Sequence, residues 1–472
     1  PAMRRAATGL LLALWAGGAT GAEQAAMLGG GPARNNASPE RSLPSSLDPA
    51  SGRNVLWTAE LGTEAYAGPV VAGGKVFVGT NNGRPRDPKV QGDRGVVMAF
   101  AAGDGALLWQ SVHEKLEVGR NQDWPQQGVC STPAVSGPAL YYLSNRGELV
   151  ALASDPPRSG SGGGPSRSDR LWGLDLRGQL GVVAHFMTAS SPLLVGERIF
   201  AVTGNSIDDH GKVAAPKAPS FIAVDRAQGK LLWADASPGE AIFEGQWGSP
   251  VYLDLAAGAQ VVFPGGDGKL YSFDPATGKR LWIFDANRPV PGGPAAERGA
   301  LVATPVFAEG RLFAALGRNP DLGSADGRLW ALDPSKLSGG EPTVLWSRGG
   351  RDFSFSLSSP VVAGGVVYAA DLAGFLHALD AATGQELWKY DAFAAVWGSP
   401  LVADGKVYLG DEDGDLAILK AGRSLEKLAE VNLGDAIYTT PTAAQGVLYV
   451  TTARKLYALR EGAGPKAAAA KP

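Results

Sequence analysis

The chain has 472 residues, and 43 Lys+Arg against 46 Asp+Glu leave a net charge of −3. With no basic block it lacks the electrostatic footprint needed to neutralise a phosphate backbone, so nucleic acid is not a partner. Gly (65) and Pro (33) are abundant, helix-period runs are scarce and the single cysteine excludes an internal disulfide, so the expectation is an all-β fold stabilised by size rather than staples.

Residues 1–22 read as a secretory signal peptide, with Arg4 and Arg5, an apolar run from Ala6 to Ala19 and small residues up to Ala22. The run is too short to span a membrane, and no cysteine follows it to accept a lipid. A periplasmic or secreted protein without membrane span or lipid anchor is expected. Residues 23–47 are an N-terminal extension, residues 48–462 a single repeat domain, and residues 463–472 a disordered tail.

The domain repeats one pattern eight times. Its units are marked by Pro69, Pro133, Pro192, Pro250, Pro305, Pro360, Pro400 and Pro441, within segments such as "YAGPVVAGGKVFVGT" and "WGSPLVADGKVYLGD". In each unit Pro opens an apolar strand (A), where no ladder donor is lost. A Gly-containing turn leads to a second strand (B), which ends on an aromatic such as Tyr368 or Tyr408. A third strand such as "FLHALD" (C), a "DAATG" turn and a fourth, "QELWKY" (D), complete the unit. Four antiparallel strands repeated radially describe a β-propeller blade. The Trp of strand D recurs as Trp109, Trp172, Trp233, Trp282, Trp346 and Trp388, as a filler between neighbouring blades, while blade 7 has Ala429 in its place. The eighth unit ends without a strand D. The segment "LDPASGRNVLWTAEL" supplies one, because Trp57 stands 12 residues before Pro69 as Trp388 stands 12 before Pro400. This closes an eight-bladed ring and leaves no open sheet edge.

With these motifs in hand, the chain resembles the pyrroloquinoline quinone (PQQ) repeat family, whose eight-bladed propellers carry the docking signature AxDxxTGxxxW. Blade 6 matches it with Ala378, Asp380, Thr383, Gly384 and Trp388. Blade 4 has Asp274, Thr277, Gly278 and Trp282 but Ser272 for Ala, and blade 3 has Gln228 where Thr is expected. The resemblance implies the fold and blade docking, not a reaction.

Strand alternation puts the segment leading into A and the turn from B to C on one face, here the top. The large insertions at 81–94, 110–129, 204–219 and 283–301 fall there, as they do on the binding face of repeat arrays. The bottom carries a glycine- and serine-rich loop at 154–169. Registration gives top-face ligand-binding candidates: Trp124, Gln127, Asn145, Arg146, His185, Asn205, Trp247, Arg318, Asp371, Trp397 and Asp411. Trp247 and Trp397 share the context "WGSP" and belong at the channel rim, as a ligand platform or as rim packing. His185 is a binding group or a satisfied rim histidine, and Cys130 reads as structural. The acidic run Asp411, Glu412, Asp413 and Asp415 reads as a turn rather than a metal site. Asp413–Gly414 align with Asp267–Gly268, and the downstream Glu of a calcium loop is missing.

Catalytic residues cannot be assigned. Nothing in the sequence shows paired carboxylates, a nucleophile motif or Cys/His ligand spacing. The resemblance offers two roles. One is a non-catalytic binding or scaffold protein, similar to the propeller subunit of outer-membrane protein assembly, engaging a periplasmic protein or small ligand on the top face. The other is a PQQ- and calcium-dependent dehydrogenase of alcohols or sugars. The vicinal disulfide that the resemblance implies for alcohol-oxidising members cannot form from one cysteine. An apolar rim around a polar channel would favour docking, and convergent carboxylates would favour the quinone.

Overall fold

The computed structural model describes residues 26–117, 121–156, 169–208, 210–290, 297–323 and 325–464. The expected signal peptide, most of the 154–169 loop and the tail beyond residue 464 lie outside them. The described strands form eight sheets, in each of which the four blade strands are antiparallel and run outward from A to D. In blade 6 these are Val361–Ala363, Val366–Ala370, Phe375–Asp380 and Glu386–Asp391. The B strands are buried on both sides because each blade is sandwiched between two others, so they read as continuous apolar runs rather than alternating ones. Val55–Glu60 pairs with Lys455–Leu459 and supplies strand D of blade 8, as its Trp57 spacing predicts.

The docking signature has a mechanical explanation. In blade 6, Asp380 Oδ1 accepts from the Ala382 and Thr383 amides and from the Thr383 hydroxyl, which ties the turn between C and D. Asp274 does the same in blade 4. The turn then receives the indole of the preceding blade: Trp346 Nε1 donates to Ala381 O at 3.0 Å. Trp57, Trp172, Trp233 and Trp388 repeat this bond onto Ala102, Arg226, Pro275 and Gly422. Glycine is required beneath the ring. At Gly384, φ is +72° and an added Cβ would stand 2.6 Å from the Trp346 indole. Trp282 departs from the pattern and donates to Gln260 of its own blade, because blade 5 replaces the short turn with the long hairpin Asp326–Ser338 and Glu341–Ser354.

Strand D runs to Glu114 in blade 1 and to Asp285 in blade 4. Those two top insertions therefore begin later than the 110 and 283 read from sequence, since the D strands continue along long C partners.

The N-terminal extension has a role that the sequence did not suggest. It enters the central channel from the bottom, where Ala26 pairs with Val135 of strand A in blade 2. After turning at Leu28–Gly30 it crosses towards blades 4 and 5 and descends with Ala37–Ser38 parallel to Leu401–Ala403. The middle residue of the three-residue inner strand is engaged in five blades among the described residues. The amides of Val135, Tyr252, Phe307 and Val402 donate to Ala26 O, Pro32 O, Ala33 O and Asn36 O, and that of Val362 to Asn35 Oδ1. Arg34, 2% exposed, donates to Pro250 O, Leu28 O and Ser191 O. Burial pulls its pKa down to about 9, so it stays protonated at neutral pH. The plug leaves at the bottom, where Leu43 N meets Asp404 and Gly446 N meets Glu40.

Two glycine substitutions separate turn strain from blade docking. Gly405→Ala, at φ +70° in open space, is expected to cost about 1 kcal/mol, whereas Gly384→Ala, which adds collision with Trp346, should cost about 2–3 kcal/mol. Chemical denaturation of both variants checks this, and equal losses would contradict the wedge role of the indole.

Candidate functional site

The residue before each blade proline is extended, as proline demands of its predecessor. In six blades its amide lies outside the blade's own ladder and reaches across to the next blade. Gly68 N donates to Thr132 Oγ1 (2.9 Å), Thr132 N to Ser191 Oγ (3.0 Å), Ser191 N to Ser249 Oγ (2.9 Å) and Ser249 N to Thr304 Oγ1 (3.1 Å). Ser359 N continues to Ser399 Oγ and Ser399 N to Thr440 Oγ1. With Gly68 and Ser359 these residues form a ring around the channel axis, one from each blade.

Two residues earlier in every blade, on the same side of the extended segment, stands a second ring: Tyr66, Cys130, Ala189, Trp247, Val302, Leu357, Trp397 and Tyr438. Both rings line one top-face cavity of about 410 Å³, whose lining also includes Leu28 of the plug. The site is a blind cup with an apolar upper ring, a hydroxyl lower ring and a plug beneath. Insertions contribute Trp124, Gln127, Phe186 and Asn319 to Asp321. Aromatic side chains gather on two sides. Tyr66 stacks on Tyr438 (5.2 Å between centroids), which packs on Trp397 (4.8 Å). Phe186 stacks on His185 (3.8 Å) and meets Trp124 edge-on (4.7 Å). Phe393, 88% exposed, and Leu322, 61% exposed, add apolar surface beyond the rings.

Of the residues singled out from sequence, Trp124, Gln127, Trp247 and Trp397 line the cup. Trp397 Nε1 donates to Glu412 and Trp247 Nε1 to His185 O. His185 is buried behind the aromatic wall. The others brace the loops. Asn145 binds Asp123 and Glu114 O, and Arg146 binds Glu114 O and Lys115 O. Asn205 holds Val183 N and Ala215 O. Arg318 donates to Leu322 O, Gly323 O and Glu297, which shapes the loop that carries Asp321. Asp371 accepts from Ser354, Ala373 and Phe375 amides and pairs with His377. Cys130 is buried, and desolvation pushes its thiol up to about 12, so it is no thiolate at neutral pH.

The acidic run is a hydrogen-bonded turn. Asp411 Oδ1 accepts from the Asp413 and Asp415 amides, and Asp411 N donates to Asp415 O, as Gly265 N donates to Lys269 O in blade 4. Among the described residues no group of three His, Cys, Asp or Glu is placed to hold a metal ion. Tyr66, Tyr438 and Phe186 were missed. The first two stand three residues before their blade prolines, as Trp247 and Trp397 do, so applying the "WGSP" argument to all eight units would have found them.

A family profile described as outer membrane protein assembly factor BamB matches residues 93–343 and 325–424. No curated protein sequence matches the chain. Among solved structures, BamB from Moraxella catarrhalis is similar at 16% identity and TM-score 0.55, over 87% of this chain and 98% of that one. The computationally designed Ika8 protein is similar at 13% identity and TM-score 0.54, over 86% and 99%. A europium-containing methanol dehydrogenase is similar at 13% identity and TM-score 0.52, over 92% and 97%. One architecture thus carries an enzyme and a design, and fold alone does not choose a function.

Burial raises the Asp411 carboxyl to about 6, with Asp415 and Asp413 adding repulsion. A folded pKa above the unfolded ~3.9 penalises the folded state at neutral pH, and the penalty fades as pH falls through 6 towards 4. Asp411→Asn retains an acceptor for both turn amides. It should stabilise the protein by about 1–3 kcal/mol near neutral pH and by roughly nothing near pH 4, as read from denaturation midpoints.

Proposed function

The chain belongs to the family described as outer membrane protein assembly factor BamB, and from that premise we propose a non-catalytic binding or scaffold protein that receives its partner in the top-face cup. The observation that carries this reading is the lining of the cup: an apolar ring over a hydroxyl ring, with Asp321 as the one carboxylate among the described lining residues. That is the apolar rim around a polar channel expected of docking. The family description names outer-membrane protein assembly, which supports a periplasmic or secreted setting. No described helix is long and apolar enough to cross a membrane.

The residues present do not fit PQQ with calcium. The quinone carries three carboxylates, and no Lys or Arg is among the described lining residues to pair them. Calcium takes six to eight oxygen ligands, with carboxylates prominent among them, and Asp371 and Asp411 spend theirs on turn amides away from the cup.

Calorimetric titration of the purified protein with PQQ, with and without calcium, followed by a dye-linked oxidation assay over alcohols and aldoses, tests the proposal. The expected result is neither saturable binding nor turnover. Calcium-dependent binding accompanied by turnover would replace this reading with the dehydrogenase.

A further inference from the structure

The lower ring is built as a circle of donors. The hydroxyls of Thr132, Ser191, Ser249, Thr304, Ser399 and Thr440 each accept a neighbouring blade's amide, and none donates to an acceptor among the described residues. All six residues line the cup, so each hydroxyl keeps a proton to donate to a ligand there. Gln127 adds a side-chain amide at the wall, and no hydrogen bond engages its Nε2 among the described residues. The faces above and below are apolar, with Leu28 in the floor and Trp247 opposite Tyr438 across the ring, since blades 4 and 8 are half a turn apart. A volume of about 410 Å³ lies in the range of small-molecule sites.

We propose that the cup binds one neutral sugar ring, free or at the end of a glycan. This rests on the binding-protein reading above and narrows its ligand. A pyranose carries hydroxyls around its perimeter and C–H groups on its faces, so the perimeter meets the hydroxyl ring and Gln127. One face rests on Leu28, and the next residue of a glycan would contact the aromatic walls. An anion would find no lining cation among the described residues. A cation would face donors, with Asp321 alone to offset its charge. A peptide presents its amides along a line rather than around a circle.

The test is isothermal titration calorimetry in chelator, without quinone, using D-glucose, D-mannose, N-acetyl-D-glucosamine, maltose and cellobiose as probes, with neutral tripeptides alongside. Saturable binding of at least one sugar at Kd of about 1 mM or tighter is expected. Gln127→Leu, which disturbs no hydrogen bond among the described residues, should weaken it about tenfold, and Trp397→Ala should weaken it too. Absence of saturable binding, a response to tripeptides alone, or binding indifferent to both variants would overturn the sugar while leaving the binding-protein reading intact. The same titrations are repeated with PQQ and calcium, and binding that requires both and ends in oxidised sugar would overturn both readings.

Discussion

Eight inner strands of three residues each leave a channel lined by backbone groups that have a partner on one side only. A buried amide or carbonyl must be paired with protein or water, and a propeller has no further strand to offer. The N-terminal segment meets this demand. Its backbone and the amide of Asn35 reach the middle residue of strand A in blades 2, 4, 5, 6 and 7. Arg34 gathers carbonyls from the plug and blades 3 and 4 onto one guanidinium, and Asn36 bridges Pro400 O and Pro441 O. Ring closure by Val55–Glu60 and channel filling are thus done by one continuous stretch of chain.

The plug also gives the two faces different characters. From below, the channel is occupied by main chain. From above, it ends as a cup whose wall repeats the same two positions of every blade. The position next to proline must link blades, so it is a small hydroxyl residue in seven blades. The position two residues earlier carries no such duty and varies from Ala189 to Trp247. Architecture fixes the lower ring, and the upper ring is where the molecule can acquire specificity. This division suits a binding protein, because a ligand can be exchanged by changing residues that hold no blade together.

The fold was legible because its determinants are local and repeated: proline before strand A, an Asx turn after strand C and an indole over glycine. The Trp57 spacing even revealed the ring closure. The site was only partly legible. Trp247 and Trp397 were found by their shared "WGSP", but Tyr66 and Tyr438 sit in "YAGP" and "YTTP", where the eye follows the proline rather than the period. Asp371 and Asp411 looked like site residues because carboxylates suggest chemistry, yet their partners are amides two and four residues on. The plug was illegible for a different reason. "LGGGPARNNAS" has no periodicity, since most of its partners lie on separate inner strands far away in sequence.

Amide hydrogen exchange at Val135, Tyr252, Phe307, Val362 and Val402 tests the sealed channel most directly. Each of these amides faces the plug rather than its own blade, so the account predicts that all five exchange as slowly as the amides of the fully buried B strands. Exchange at the rate of an open loop would mean that the channel is not filled by residues 26–38 in solution, and the cup would lose its floor.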